Sequence, residues 1–372
     1  MRIAIDVRKL HDFGIGTYIR NLLEYLARVD QTSEYVLICR LQDQYAIRAM
    51  APNFTPVVDG SLPYSVAEQF TIPARLMQHH ADLFHAPHYV LPPLVPCRSV
   101  VTIHDCIHLM FPQYLPNRIA YGYAKFSLWA AAHRAERVLT VSETSKADII
   151  RYCGISANRV TVIYNAIDDR FRVAPPDSEV QNTRERYQLD GPFILYVGNI
   201  KPHKNIERLI EAFHLLRRDG FDRLRLLVIG DQISRFPRLR HAVDRHKLHK
   251  HVRFLGFVPY DTLASLYRLA TVFVFPSLYE GFGLPPLEAM ASGTPVVASN
   301  TSSLPEVLGD AAVLVDPYRS EAIAEGLARV LNDSALRAQL RERGLVRSRA
   351  FSWEASVRRV REVYEEVGHA HE

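Results

Sequence analysis

Cysteine is scarce: Cys39, Cys97, Cys106 and Cys153 are the only four in 372 residues, far apart and with no C-x-x-C pair. That argues against a disulfide scaffold and predicts free thiols in a reducing compartment. No apolar run reaches the ~18 to 20 residues that span a bilayer. The opening "MRIAIDVRKL" reads as a strand, without the pattern of a signal peptide. The expectation is a cytoplasmic protein, or one held peripherally on the inner face of the cytoplasmic membrane. Asp-x-Asp is absent, and no group of His, Cys and carboxylates shows metal-ligand spacing, so neither a metal nor another cofactor is implied. The missing G-x-x-x-x-G-K-[ST] and G-x-S-x-G motifs argue against a P-loop NTPase and a typical serine hydrolase. Low-complexity blocks and short-period repeats are also lacking.

What is present is an ordinary globular composition, 48% hydrophobic and 23% charged. Forty-five Lys and Arg against 40 Asp and Glu give +5, which suits anionic partners such as nucleotides, phosphates or a phospholipid surface. Nothing calls for nucleic acid. Residues 234 to 254, "SRFPRLRHAVDRHKLHKHVRF", concentrate basic charge and read first as a solvated helix face, with an anionic membrane surface as the second reading.

The chain is long enough for two domains. Its first part alternates strand and helix: "RIAIDV", a glycine turn, the helical "IRNLLEYLARV", then "YVLICRL". Short apolar strands "ADLFHAP", "SVVTIHD", "RVLTVS" and "VTVIYNAI" follow, with helices through 117–135 and 142–154, the latter capped by Ser142 and ended by Gly154. A second series begins at "PFILYVGNI". The fold class expected is α/β, two doubly wound Rossmann-like domains facing across a cleft. Residues 1–170 are expected to form the N-terminal domain and 190–352 the C-terminal one. The polar segment 171–189, with its Pro pair, reads as linker, and 353–372 as a helix returning to the first domain.

Four stretches carry candidate chemistry. In "HDFGIGTY", Gly14 and Gly16 make a Gly-x-Gly turn before a helix, suited to phosphate or to a tight turn alone; the third glycine of a dinucleotide fingerprint is replaced by Ile19. In "TIHDCIH", His104 at a strand end could accept a proton or donate a hydrogen bond. "YVGNIKPHKN" puts Gly198 at a strand end, Lys201 and Lys204 in a loop and Asn205 at a helix N-cap, a cationic diphosphate site. "YEGFGLPPLEAM" sets Glu280 and Glu288 eight positions apart. Gly281 and Gly283 permit positive φ or close backbone approach, and Pro285-Pro286 starts a helix. Glu288 is then expected in its first turn and Glu280 in the loop before it, two separate anchors for one ligand.

With "GIGTY", "TIHD", "VSETSK", "VIYNAID", "YVGNIKPHKN" and "EGFGLPPLEAMASGTPVVAS" on the page, the sequence resembles a retaining GT-B glycosyltransferase of the group 4 family over nearly its whole length. The resemblance implies that Glu288 binds the ribose of a nucleotide-diphosphate sugar and Glu280 lies by the donor sugar. Backbone N–H groups around Phe282, Gly283 and Leu284 would meet sugar hydroxyls or phosphate. Lys204 would hold the diphosphate, His104 would sit beside the donor sugar and Gly16 near the phosphates. Many members have Arg where this chain has Asn199, which leaves Lys201 as the substitute cation. "GNIKPHKN" is similar to bacterial mannosyltransferases of O-antigen, capsule and exopolysaccharide assembly, implying GDP-mannose as donor. The acceptor implied is a saccharide or polyprenyl-linked saccharide. Rival readings are another GT-B enzyme, a nucleotide-sugar epimerase or disaccharide synthase, and a non-catalytic nucleotide-sugar-binding protein. A nicotinamide dehydrogenase is disfavoured by the incomplete glycine fingerprints.

Overall fold

The computed structural model describes residues 1–230 and 236–369. The chain divides into two units, Met1–Asn165 with Ser352–Glu372, and Ala166–Phe351. Each is built on one sheet in which every strand pair is parallel.

The first sheet contains β1 (Arg2–Asp6), β2 (Glu34–Cys39), β3 (Phe54–Val58), β4 (Leu83–Ala86), β5 (Arg98–Thr102), β6 (Arg137–Thr140) and β7 (Val160–Val162). Their order, β3-β2-β1-β4-β5-β6-β7, reverses direction between β1 and β4. These strands are nearly continuous apolar runs because both faces are covered. Phe84, Val101 and Val138 pack on one side with Leu128 and Ile149 from the helices Arg118–Arg134 and Glu143–Cys153. Strand β3 carries Pro56, which breaks the apolar pattern; proline is tolerated there because β3 is the sheet edge. Ser142 caps its helix by accepting from the Ser145 N–H at 3.0 Å, and Gly154 closes it at φ +70°. Helix Trp353–His369 belongs to this unit: Tyr364 Oη lies 2.6 Å from His85 Nδ1, and Arg98 donates to the Val367 carbonyl at 2.6 Å.

The second sheet contains β8 (Phe193–Val197), β9 (Arg225–Ile229), β10 (Val252–Gly256), β11 (Val272–Phe275), β12 (Val296–Ser299) and β13 (Ala312–Val315). Its order is β10-β9-β8-β11-β12-β13, with the reversal between β8 and β11. The segment 171–189, expected as linker, is built into this unit instead. It holds the helix Asp177–Tyr187, which packs against Tyr260–Leu269 and buries Thr183. A polar sequence suffices there because little of the helix is covered, and Gln188 ends it at φ +52°. Of the basic stretch 234–254, Pro237–Arg245 is a helix that buries Leu239 and Val243, while residues 234 and 235 lie outside the described residues.

Candidate functional site

Open parallel sheets bind ligands beyond the carboxyl ends of their strands, where strand order reverses. In the second unit that point is the pair β8 and β11. The loop leaving β8 contains a short turn, Pro202–Lys204, and the Leu278 N–H donates to the His203 carbonyl at 2.8 Å. This stitch brings the loops after β8 and β11 together. Lys204 Nζ consequently sits 2.6 Å from Glu280 Oε1, with both side chains only 12% exposed. The Phe275 ring centroid lies 5.5 Å from the same ammonium, a further favourable contact. The resemblance implied separate roles, Lys204 on the diphosphate and Glu280 by the donor sugar; folded, the two form an ion pair. Lys201 is exposed on the same loop.

Asn205 corrects another expectation. It occupies the N-cap position of Ile206–Arg218 at φ +62°, but its side chain caps nothing. Nδ2 donates instead to the carbonyls of Pro276 (3.0 Å) and Pro317 (2.7 Å), so the residue ties the β8 loop to those after β11 and β13. Among the described residues, none donates a hydrogen bond to the buried Asn199 Oδ1.

The 278–283 loop is held by "TSS", residues 301–303, which sequence reading overlooked. Glu280 donates its N–H to Ser302 Oγ at 3.0 Å, and Ser303 Oγ lies 3.0 Å from the carbonyls of Glu280 and Phe282. Gly283 begins the helix Leu284–Ala291 at φ +99°, a backbone state that favours glycine. The Phe282 ring is buried edge-on against Phe351. Glu288 lies a full turn into this helix rather than in its first turn, so the helix dipole does not account for it. Its Oε2 accepts from Tyr267 Oη at 2.9 Å. Burial pushes the carboxyl up to about 7, against the lowering effect of the Tyr267 hydrogen bond. Gly198 ends β8, and a Cβ on Gly230 would meet the Gly198 carbonyl at 2.2 Å.

In the first unit the reversal lies between β1 and β4. Gly14 and Gly16 do not form a turn: both are already helical, within Phe13–Val29. A Cβ at Gly14 would meet open space, whereas one at Gly16 would lie 2.5 Å from the Leu10 carbonyl oxygen. Backbone packing alone therefore demands Gly16. His104 follows β5, and its Nε2 donates to the Pro87 carbonyl at 3.0 Å, which leaves Nδ1 as the acceptor nitrogen. Burial lowers its pKa, favouring the neutral ring. Tyr18 packs edge-on to it at 4.9 Å. A buried chain from Tyr18 Oη to Thr102 Oγ1 (3.2 Å), His85 Nε2 (2.8 Å) and Tyr364 Oη then fixes that packing from the closing helix. Asp105 is spent locally, accepting from the Ile107 N–H.

The Glycosyltransferase Family 4 model matches residues 14–171, and the Glycosyl transferases group 1 model matches residues 178–347. The O-antigen chain mannosyltransferase B of Escherichia coli is 37% identical over 274 residues, covering 73% of this chain and 71% of that protein. The chain is a family 4 glycosyltransferase. A second relative of the transferase, the serotype-specific mannosyltransferase WbdA of Escherichia coli, is 35% identical over 267 residues. That match covers 70% of this chain and 32% of WbdA, so the transferase spans about a third of the longer protein. Among solved structures, sucrose-phosphate synthase from Thermosynechococcus elongatus superposes at a TM-score of 0.81 with 24% identity, over 100% of both chains. HepE from Anabaena, solved in complex with UDP and glucose, gives 0.78 with 19% identity over 98% of this chain and 100% of HepE. The transferase has the GT-B fold.

The same end of the first sheet carries a charge network that sequence reading of the transferase missed. Arg8 donates through Nε and Nη2 to the two oxygens of Asp6 at 2.8 and 2.7 Å, to Glu68 Oε2 at 3.0 Å, and through Nη1 to Ser61 Oγ at 2.7 Å and the Ser61 carbonyl at 3.1 Å. All five guanidinium donors are used. Asp59 lies 3.7 Å from Nη1, and all four charged side chains are at most 5% exposed. Burial opposes ionisation of Asp6, but the Arg8 hydrogen bonds prevail and hold its carboxyl well below the usual range. No motif signals this network, because Asp59 and Glu68 meet Arg8 only through the topology.

Proposed function

We propose that the transferase moves a hexose, mannose, from GDP-mannose with retention of configuration to a saccharide or polyprenyl-linked saccharide acceptor in cell-surface polysaccharide synthesis. The observation that carries this reading is the Lys204–Glu280 pair at the strand-order reversal of the second sheet. A buried ammonium matched by one carboxylate can exchange that partner for a diphosphate oxygen without being stranded in a dry site. Lys204, with Lys201, then offsets the charge that develops on the leaving diphosphate, in place of a metal ion. Glu280, released, is free to accept from a donor-sugar hydroxyl, and Glu288 accepts from the ribose hydroxyls. The neutral His104 ring serves the donor sugar through Nδ1. Backbone groups at Phe282, Gly283 and Leu284 complete the donor site in the second unit. The acceptor hydroxyl attacks the anomeric carbon on the face the diphosphate leaves. One C–O bond forms as the other breaks, and the hydroxyl proton passes to the departing phosphate.

Support for mannose comes from the mannosyltransferase relatives. Among the described residues no helix is long and apolar enough to cross a membrane. Helix Arg118–Arg134 does expose Ile119, Phe126 and Trp129 beside Arg118, Lys125 and Arg134, a composition suited to an anionic membrane surface and hence to a peripheral location. The test is a thermal-shift screen of GDP, UDP, ADP and TDP with their sugars, followed by transfer of labelled mannose into a lipid extract. GDP and GDP-mannose should raise Tm. No shift with either overturns the donor assignment, and conversion of GDP-mannose without any acceptor points to an epimerase.

A further inference from the structure

Glu288 has a buried partner that the donor chemistry leaves unused. Tyr267, on helix Tyr260–Leu269, is fully buried, and its Oη donates to Glu288 Oε2 at 2.9 Å. The ring has little freedom. Phe171 meets it edge-on at 5.7 Å between centroids and Phe273 at 5.5 Å, while the Tyr267 carbonyl accepts from Thr294 Oγ1 at 2.6 Å. These contacts come from three separate places: the turn Asp169–Phe171, strand β11, and the loop before β12. Burial raises the phenol well above its ordinary value, with the Glu288 charge adding to the effect, so the hydroxyl is a standing donor.

The bond holds one carboxylate oxygen and not the other. Among the described residues no hydrogen bond reaches Glu288 Oε1, and the residue itself is only half-buried. A tyrosine hydroxyl is satisfied by a carbonyl or an amide without any charge. A carboxylate is the costly choice here, since desolvation lifts its pKa to about 7 and the like charge of Asp168 adds to the rise. Asp168 is itself answered by Arg170 Nε at 3.0 Å. The second oxygen, rather than the one Tyr267 holds, therefore accounts for a glutamate at this position.

A vicinal diol presents two O–H donors to one side, and an ionised carboxylate accepts without donating, so the two are matched. A glutamate free to rotate would have to be ordered when the diol arrives. One pinned through Oε2 to a rigid ring meets the diol in place, and little ordering is left to the binding step.

We propose that Tyr267 is a positioning residue for ribose recognition: by holding Glu288 Oε2 it presents Oε1 to the diol of the donor nucleotide and makes the transferase select ribonucleotides. The inference rests on the assignment of Glu288 to the ribose. Its test compares two ligands on one protein. GDP and the dideoxy form that lacks both ribose hydroxyls are titrated calorimetrically into the full chain as wild type, Tyr267→Phe and Glu288→Ala. The UDP and ADP pairs run alongside, so that discrimination is read on whichever base binds. Wild type should bind the ribo form about 10- to 100-fold more tightly, the range for hydrogen bonds to a charged acceptor. Glu288→Ala should abolish most of that preference. Tyr267→Phe removes a single oxygen and should cut the preference about threefold to tenfold, with dideoxy binding within about twofold of wild type. Retained dideoxy affinity also reports an intact fold. In transfer assays the same variant should raise the donor KM by a like factor and leave kcat within about twofold. Equal losses for both ligands in Tyr267→Phe, or full retention of the wild-type preference, overturn the positioning role and leave Glu288 its assignment. Equal binding of the two forms by wild type, an undiminished preference in Glu288→Ala, or failure of every nucleotide to bind overturns the ribose assignment itself and the role of Tyr267 with it.

Discussion

Charge is handled differently at the strand-order reversals of the two units. In the first, Arg8 spends all five donors inside the protein and every charged partner is nearly sealed from water. In the second, Lys204 and Glu280 have each other and a remaining 12% exposure. A saturated network of buried charges is scaffold: exchanging any partner would strand the rest. A single pair at partial exposure can trade one partner for a ligand. The same residue types therefore give structure in one unit and chemistry in the other, and satisfaction of donors separates the two cases more sharply than burial alone.

The comparison breaks most visibly at Arg8. Arg8→Met leaves Asp6 and Glu68 without the Arg8 counter-charge and Asp59 with Arg75 alone, 3.8 Å away, and should destabilise the first unit by about 3–5 kcal/mol. Urea denaturation followed by circular dichroism measures it; a loss under about 1 kcal/mol would place Arg8 among exchangeable groups. Lys204→Ala should do the reverse. Its unfolding midpoint should move far less than that of Arg8→Met, while kcat falls by about 10²–10³-fold, the usual cost of a lost transition-state charge contact. Equal stability losses in the two variants would erase the distinction.

Glu288 sharpens the comparison through pH. Its carboxyl is raised from 4.5 to about 7, so the folded state binds the proton more tightly than the unfolded chain. The associated stability is complete below about 4.5 and is lost as pH rises through about 7. Glu288→Gln should therefore gain on wild type across that window, with a slope of at most about 1.4 kcal/mol per pH unit. Parallel urea midpoints of the two proteins from pH 4 to 8 would refute this. The smallest effects are expected from the two helical glycines. Gly16→Ala forces a methyl onto the Leu10 carbonyl and should cost about 1–3 kcal/mol, whereas Gly14→Ala enters open space and should stabilise by up to about 1 kcal/mol. Matching Tm shifts would mean that packing does not set the difference between them.

Much of the fold was legible in the sequence because buried parallel strands are short apolar runs and helix ends carry Ser142 and Gly154. What escaped had a local reason. Pro56 hid β3 at a sheet edge, and the polar Asp177–Tyr187 helix looked like linker because few of its residues are covered. Glu280, Glu288, Lys201 and Lys204 could be picked out by spacing, but not that Lys204 would close on Glu280 or that Glu288 would lie a turn deeper. Asn205 looked like a cap because Asn before a helix usually is one; its long-range bonds to Pro276 and Pro317 depend on three loops that only the sheet brings together. The Arg8 network draws on residues up to 60 positions apart, beyond any local pattern.

The helix Trp353–His369 closes a unit whose other residues end at Asn165, binding it through Tyr364 to His85 and through Arg98 to Val367. On the ribosome this inverts the usual sequence of events. Translation yields everything the second unit needs by Phe351, while the half made first still waits for its last helix. The portion of the chain that emerges earliest is thus the last to be completed, and until then His85 and the carbons lining it remain without their cover.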